Sequence, residues 1–498
     1  MKKPLLLSFG LFLVFINQSH TQEATLTIDI SSPQENTIQL DAIGVNTIAS
    51  DGSSTYKLIN NQFNKTFTIP HITKFYVTGV SNSNWRQQLY ISPGDHLHVR
   101  VDSKDGKDQI TITGKGSENN QPFYFLDDIY FEELRKDSLP DRLLVAIQKN
   151  MDSLSQETKR YITQNKPAAT FEKVLQYNLA YAPAKLFLNF YGNHKFYLET
   201  LNNSEKLTAI WKQKRDSLLA AQPLNNAGAL ISPIYKMLLG NYILQRKEEL
   251  WATAQSSDFL STYYSELPSD QRAQAYSGDP ENLLQEKIIN KEFTGQINEY
   301  LYAYLLQMMS GSKKTNATAI FDRFKAKYPT SLYRSLYEPM ITEARINEKR
   351  PLNEKMVFLD SSGRLKKLDD VINLFKGRTV LVDMWGTWCG PCHQEIEKNA
   401  HALKTHFKNK DLQFLYISNY DLRNQINWKK LIRYYNMEGS HVLASRELSE
   451  DAMNKTGSDS FPTYFIIKKD GTYELSKAGY PMERELLIKQ LEEAMSYH

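Results

Sequence analysis

Cysteine is almost absent from this chain: its 498 residues contain two, Cys389 and Cys392. A framework of structural disulfides is therefore excluded, and two sulfurs fall short of a structural zinc site. Long apolar runs are missing as well. The run from Leu5 to Ile16 covers 12 residues, short of the ~20 that span a bilayer as a helix. Neither charge sign dominates, since 60 Lys and Arg face 56 Asp and Glu for a net of +4. No basic run is interleaved with aromatics, which leaves nucleic-acid binding without support.

The chain starts MKKPLLLSFGLFLVFINQSHTQEA. Two lysines, a short apolar stretch and a polar stretch with small residues make this the pattern of a secretory signal peptide. Ser19 and Thr21 offer an imperfect small-x-small site, so residues 1–21 are expected to be removed. No cysteine lies nearby to carry a lipid. The expected product is an exported protein of the periplasm or cell envelope, not a lipoprotein.

Three further parts are expected from patterning, and the length suits several domains. Residues 22–116 read as β: ATLTIDI, NTIQLDAIG, TFTIP, KFYVTGV, QLYIS, HLHVRVD and QITITG alternate between turn clusters. Such spacing predicts an antiparallel β-sandwich-like domain. Residues 117–350 carry apolar positions three or four apart, cut by Pro140, Pro167, Pro183, Pro223, Pro233, Pro268 and Pro280, and predict a helical domain. Its tyrosine and phenylalanine stripes suit helix packing better than a peptide groove. Residues 351–498 alternate strand and helix and predict an α/β domain. MVFLDSSGRLKKLDDVI suggests a hairpin and short helix, TVLVDMW and LQFLYIS buried strands, and TYFIIKKDGTYELSKAGY a hairpin turning at Asp470-Gly471.

WGTWCGPCHQE, residues 385–395, holds both cysteines. Its C-x-x-C-H core fits a c-type haem attachment site and also a dithiol redox pair. Haem would need a sixth ligand and a small helical shell, whereas this motif follows a buried strand within α/β alternation. Neither haem nor metal is expected, so no cofactor is assigned. His393 is then expected on the solvent side of the first helical turn. Cys389 should sit at the start of a helix, with Gly390 and Pro391 in its first turn, where proline is tolerated. Free amides there stabilise a thiolate by ~0.3–2 kcal/mol. Cys392 falls one turn later and shielded, giving one attacking and one resolving sulfur. A chain with no other cysteine also avoids scrambling its reactive pair.

VLVDMWGTWCGPCHQE resembles the active-site segment of the thioredoxin superfamily. Thr387, Glu395 and the preceding DSSGRLKKLDDVINLFKGRTV resemble the exported TlpA/ResA-type disulfide reductases. LYISPGDHLHV, further forward, resembles the β domain of exported thioredoxin-like proteins of Bacteroidetes. The first resemblance covers about residues 350–498 and implies a thioredoxin fold there. It gives Cys389 the nucleophile role and Cys392 the resolving role. Asp383, on the strand before the motif, takes the place of a buried acid whose raised pKa suits it to accept a proton from Cys392. Phe461-Pro462 is implied to be cis and to stand beside the disulfide, with Phe461 pairing its backbone with substrate. Trp388, Gly390 and Pro391 join Phe461 and Pro462 as substrate-contact residues, and Trp385 is mostly packing.

The expectation is a periplasmic thiol–disulfide oxidoreductase that reduces disulfide-containing envelope proteins and draws electrons from a membrane thiol donor. The Gly-Pro dipeptide is that of thioredoxin, whose potential is ~−270 mV. Two alternatives stand beside it. One is an envelope client-binding module whose redox domain serves a dedicated partner. The other, weaker, is a thiol peroxidase, for which Gly386 stands where a Thr or Ser is needed.

Overall fold

A strand with one wet face buries every second side chain, and the N-terminal region follows that rule. A computed structural model describes residues 22–42, 55–69, 71–80, 84–104, 107–121, 129–252, 256–311 and 316–496. The expected leader, residues 1–21, lies outside them. One four-stranded sheet has the order β4 (Gln62–Ile69), β1 (Gln22–Ile30), β7 (His96–Lys104), β8 (Lys107–Lys115). The other runs β3 (Thr55–Lys57), β2 (Thr37–Ala42), β5 (Thr73–Val80), β6 (Asn84–Ile91). Leu26 and Ile28, Phe63 and Phe67, and Val99 from the first sheet share one core with Leu40, Val77, Trp85 and Leu89 from the second. The expected sandwich is present with one correction: β1 and β7 pair in parallel. Between them the chain makes the long excursion through the other sheet that a parallel pair requires.

The middle of the chain is helical, from Asp141–Asn165 to Tyr333–Lys349. Most prolines sit where a missing N–H costs nothing, as at Pro140 before the first of these helices and Pro233 opening Pro233–Ala252. Pro339, inside Tyr333–Lys349, and Pro183 are exceptions, and Pro183 corrects the expected break. Helix Ala169–Glu199 runs through it, held by the buried Tyr181, Ala182, Leu186 and Phe187 around the site of the lost hydrogen bond. The aromatic stripes largely pack inward. Phe187, Phe190, Tyr191 and His194 surround the buried Trp211 with ring centroids 4.6–5.9 Å away. The described residues fall into two compact units, bounded by Met1–Glu249 with Glu292–Leu301 and by Leu250–Lys291 with Tyr302–His498.

The C-terminal sheet has six strands in the order β14 (Tyr473–Leu475), β13 (Thr463–Ile467), β10 (Thr379–Trp385), β11 (Leu412–Ser418), β12 (Gly439–Leu443), β9 (Met356–Asp360). β9, β12, β11 and β10 are parallel, and β13 and β14 are antiparallel additions. No hairpin forms at β9. Asp360 at its end accepts from the backbone N–H groups of Ser362 and Leu365 at 2.9 Å and bends the chain off the sheet edge. All seven residues of β10 are buried, as a central strand covered on both faces demands. Val380, Val382 and Met384 pack on one face. Leu381 and Trp385 point to the other, toward the helix that carries the cysteines. Among the described residues no helix is long and apolar enough to cross a membrane.

Candidate active site

β10 ends at Trp385, and the chain turns through Gly386, Thr387 and Trp388 into helix Gly390–Glu395, with Cys389 as its N-cap. The Cys389 Sγ accepts the Cys392 backbone N–H at 3.2 Å, so the sulfur takes the place of a capping oxygen. The two cysteines are joined as a disulfide with Cα atoms 5.3 Å apart. Exposure does not separate them, at 3% for Cys389 and 0% for Cys392. Position does: the first caps the helix and the second lies within it. Helical structure continues beyond Glu395 through a π-turn at Ile396–Ala400 into His401–His406.

The loop before Cys389 is pinned from a neighbouring strand. Asp421, just beyond β11, accepts the Thr387 backbone N–H at 2.7 Å, the Thr387 hydroxyl at 2.6 Å and the Ser418 hydroxyl at 2.6 Å. Burial pushes its carboxyl up, against the pull of those donors. Asn419 ties its side-chain amide to the Trp385 carbonyl at 3.1 Å, and its own carbonyl accepts the Trp388 indole N–H at 3.1 Å. A Cβ on Gly386 would lie 2.5 Å from that indole nitrogen, so only glycine lets Trp388 lie this way. The Phe461-Pro462 bond is cis. Phe461 meets Trp388 edge-on at 5.6 Å, which brings the later FPT segment to the motif. Gly390 is buried and Pro391 exposed in the first turn of the helix.

Asp383 lies in the middle of β10, in register with Tyr416 of β11 and Tyr464 of β13. Its alternation places it with Leu381 and Trp385, on the face of the cysteine-bearing helix. Its Oδ1 has no protein hydrogen-bond partner. Burial raises its pKa to about 8, the nearby Glu395 carboxylate adds to that, and Lys404 opposes it. Asp383, Glu395, Asn399, Tyr416 and Tyr464 line a cavity of about 20 Å³, room for one water. Glu395 accepts from the Asn399 amide at 2.7 Å and the Met482 backbone N–H at 3.2 Å. Lys404 lies over the Tyr416 ring at 5.4 Å and donates to the Asn436 carbonyl at 3.5 Å. Burial depresses its pKa to about 8.

His393 overturns the expectation of a solvent-facing residue. It is buried, edge-on to Trp385 at 6.2 Å and tilted against Tyr435 at 5.4 Å, because that side of the helix packs onto the sheet. The residues that sequence reasoning passed over are Asp421, Lys404 and the two tyrosines beside Asp383. Asp421 carried a readable signal. In ISNYD an acid follows a buried strand parallel to β10, at the carboxyl edge where α/β sheets place their sites.

Comparison with known proteins agrees with this arrangement. The family model described as Redoxin matches residues 359–488. The thiol–disulfide oxidoreductase ResA of Bacillus thuringiensis subsp. konkukian is 26% identical over 159 residues, 32% of this chain and 83% of that protein. ResA of Bacillus subtilis is 27% identical over 115 residues, 23% of this chain and 59% of that protein. Among solved structures, the thioredoxin domain of a thiol–disulfide oxidoreductase from Bacteroides vulgatus matches at 24% identity, with a TM-score of 0.21, covering 24% of this chain and 81% of that one. The matched Redoxin segment, the similarity to ResA and a bonded cysteine pair capping a helix after a central strand make one case: the C-terminal part of this chain is a Redoxin-type, ResA-like domain, and the chain is a redox enzyme of the thiol–disulfide oxidoreductase type.

Proposed function

We propose that the protein is exported and reduces disulfides of envelope proteins in the periplasm, with Cys389 attacking and Cys392 resolving. The observation that carries this reading is the capping position of Cys389 Sγ on a helix that follows directly from a central strand bearing a buried acid. A thiolate at Cys389 gains from the helix N-terminal amides. It attacks one sulfur of a client disulfide, forming a mixed disulfide and releasing a client thiolate. Cys392 gives its proton toward Asp383, attacks Cys389 Sγ and restores the intramolecular disulfide as the second client thiol leaves. Two electrons and two protons pass to the client, and a membrane thiol donor returns them. Trp388, Gly390, Pro391, Phe461 and Pro462 form the client contact, and residues 351–498 form the redox domain.

Two measurements test this reading. A Cys392→Ser variant should accumulate clients disulfide-linked to Cys389, and the measured potential should lie near ~−270 mV. A value near ~−120 mV, that of a strong oxidant, reverses the direction.

A second reading, that the chain also holds its client away from the cysteines, is favoured by one observation. In the helical region Tyr130, Phe131, Asn189, Phe190, Asn193 and Tyr197 line a cavity of about 440 Å³, within the usual size of a binding pocket. A Phe190→Ala, Asn193→Ala double variant of the full chain should then reduce its client more slowly through a higher KM.

A further inference from the structure

We propose that a ridge of exposed apolar side chains running out from the disulfide, bordered by unpaired basic residues, docks the client, and that it selects extended polypeptides whose target cystine is flanked by apolar and acidic residues. This rests on the redox reading above and names the substrate class for the same site.

The ridge begins at Trp388, which is 51% exposed beside Cys389. Phe461 stands edge-on to it, and Tyr420 stands edge-on to Phe461 at 6.3 Å. Tyr420 is held at a left-handed φ of 60°, uncommon for a bulky side chain, and half of it faces solvent. Leu422 follows, exposed and seated against Gly363, where a Cβ would come within 2.9 Å of its Cδ2. Ile426 extends the line one helical turn further and is 88% exposed. The fold does not need it there. Helix Gln425–Tyr434 already buries Trp428, Leu431 and Ile432 on its inner face. Singly scattered apolar residues need no explanation, but an exposed set that begins in ring contact beside a reactive group and continues at close sequence spacing marks an interaction site.

Charge chooses the occupant. Between Asn419 and Tyr435 the one acid is Asp421, and it is buried on Thr387 and Ser418. Arg423 and Lys430, flanking Ile426 on the helix surface, have no carboxylate partner among the described residues. Lys429 lies over the Phe358 ring, and Arg433 belongs to the same strip. The nearest exposed acids of the following helix are already engaged, Glu447 with Lys366 and Glu450 with Arg446. On the strip from Arg423 to Arg433 what remains open is cationic, while the exposed Asp459 stands two residues from Phe461 and Glu343, on the helix packed against this one, lies near Tyr434 at the far end. Such a rim steers acidic partners and repels basic ones. A row of side chains several residues long suits an extended chain better than a small disulfide.

The test uses the full chain and two cystine-bridged peptides of equal length, one with Leu and Glu flanking the cysteines and one with Ser and Lys. Reduction kinetics are paired with fluorescence anisotropy of the same peptides carrying Ser for Cys, which reports docking without chemistry. The Leu/Glu peptide is expected to bind and turn over with a KM about tenfold lower, the scale of one hot-spot contact. Arg423→Glu with Lys430→Glu should invert that preference. Ile426→Ser should raise KM for the Leu/Glu peptide with kcat unchanged. Equal affinity for the two peptides, or variants that leave the preference intact, overturns the proposal. So does binding to phosphatidylglycerol vesicles that the charge reversal abolishes while the peptides are not distinguished, since the ridge would then face a membrane. Reduction of 2-hydroxyethyl disulfide by the wild type monitors the redox reading separately. Its loss would remove that reading while the anisotropy still decides docking.

Discussion

Asp95 of the sandwich and Asp383 of the redox sheet are both buried acids, and burial raises the pKa of each. They differ in what holds them. Asp95 lies in the turn between β6 and β7, where its carboxylate accepts the Ser92 backbone N–H at 2.7 Å and closes the turn. Asp383 stands in mid-strand with its Oδ1 unpaired, beside a second carboxylate and a cavity for one water. A buried acid bonded to backbone is part of the scaffold. One left without a donor costs stability unless its proton is used. The same contrast holds for whole strands. β4 alternates buried and exposed positions and makes half a core, whereas β10 is buried throughout and is interrupted only by its acid.

The largest effect that would break this division is at the sulfur. Cys389→Ser should lower disulfide reduction by more than ~10³-fold, the scale of losing a nucleophile, without lowering the midpoint of thermal unfolding in a reducing buffer. If the variant keeps substantial activity, the redox site is elsewhere. Leu89→Ala in the sandwich, at a position with no exposure, should do the opposite. It should cost ~2–5 kcal/mol of stability in urea unfolding and leave the redox potential of the folded protein unchanged.

Asp383 offers a sharper test because its effect has a sign. Its carboxyl keeps a proton up to about 8 in the folded chain, against an ordinary 3.8. Between those values the folded state binds a proton that the unfolded state has released, so stability falls as pH rises. The slope should approach ~1.4 kcal/mol per pH unit where the difference is complete. Asp383→Asn should flatten that slope in unfolding curves taken from pH 4 to pH 9. If Asp383 accepts the proton of Cys392, wild-type kcat should also rise through about pH 8, and the variant should lack that limb. Asp95→Asn should leave the rate profile as it is.

Much of this is legible in the sequence. Alternation located most strands of the sandwich, and the buried run TVLVDMW located β10 and made Asp383 conspicuous as an acid where none belongs. What could not be read depended on contacts between distant segments. The parallel pairing of β1 with β7 is a choice of partner, and local pattern carries no trace of it. Pro183 reads as a break because proline is one by itself, and only the packing around it keeps the helix whole. His393 looked polar and therefore exposed, but the helix that begins at Cys389 turns that face onto Trp385 and Tyr435. Asp421 was missed because its partner, Thr387, is 34 residues away in sequence.

The smallest effects should separate the regions as well. Thr387 gives its hydroxyl to Asp421 at 2.6 Å inside the fold and accepts from the Asn424 amide at 3.1 Å. Thr113 gives its hydroxyl to the His98 carbonyl at 3.5 Å on an exposed edge of the sandwich. Both residues are threonines with one long-range acceptor, and both become valine without a change of shape. Water replaces the lost partner at the sandwich edge, so Thr113→Val should shift unfolding by no more than about 0.5 kcal/mol. At the largely buried Thr387 water has little access, and the valine leaves the buried Asp421 carboxylate short of a donor, which should cost ~1–3 kcal/mol. That loop also holds Trp388 and the N-cap, so Thr387→Val should loosen the cap on Cys389 and slow disulfide reduction as well. Equal, negligible shifts for the two valines would mean that Asp421 does not pin the active-site loop, and that the redox site is held by its sheet alone.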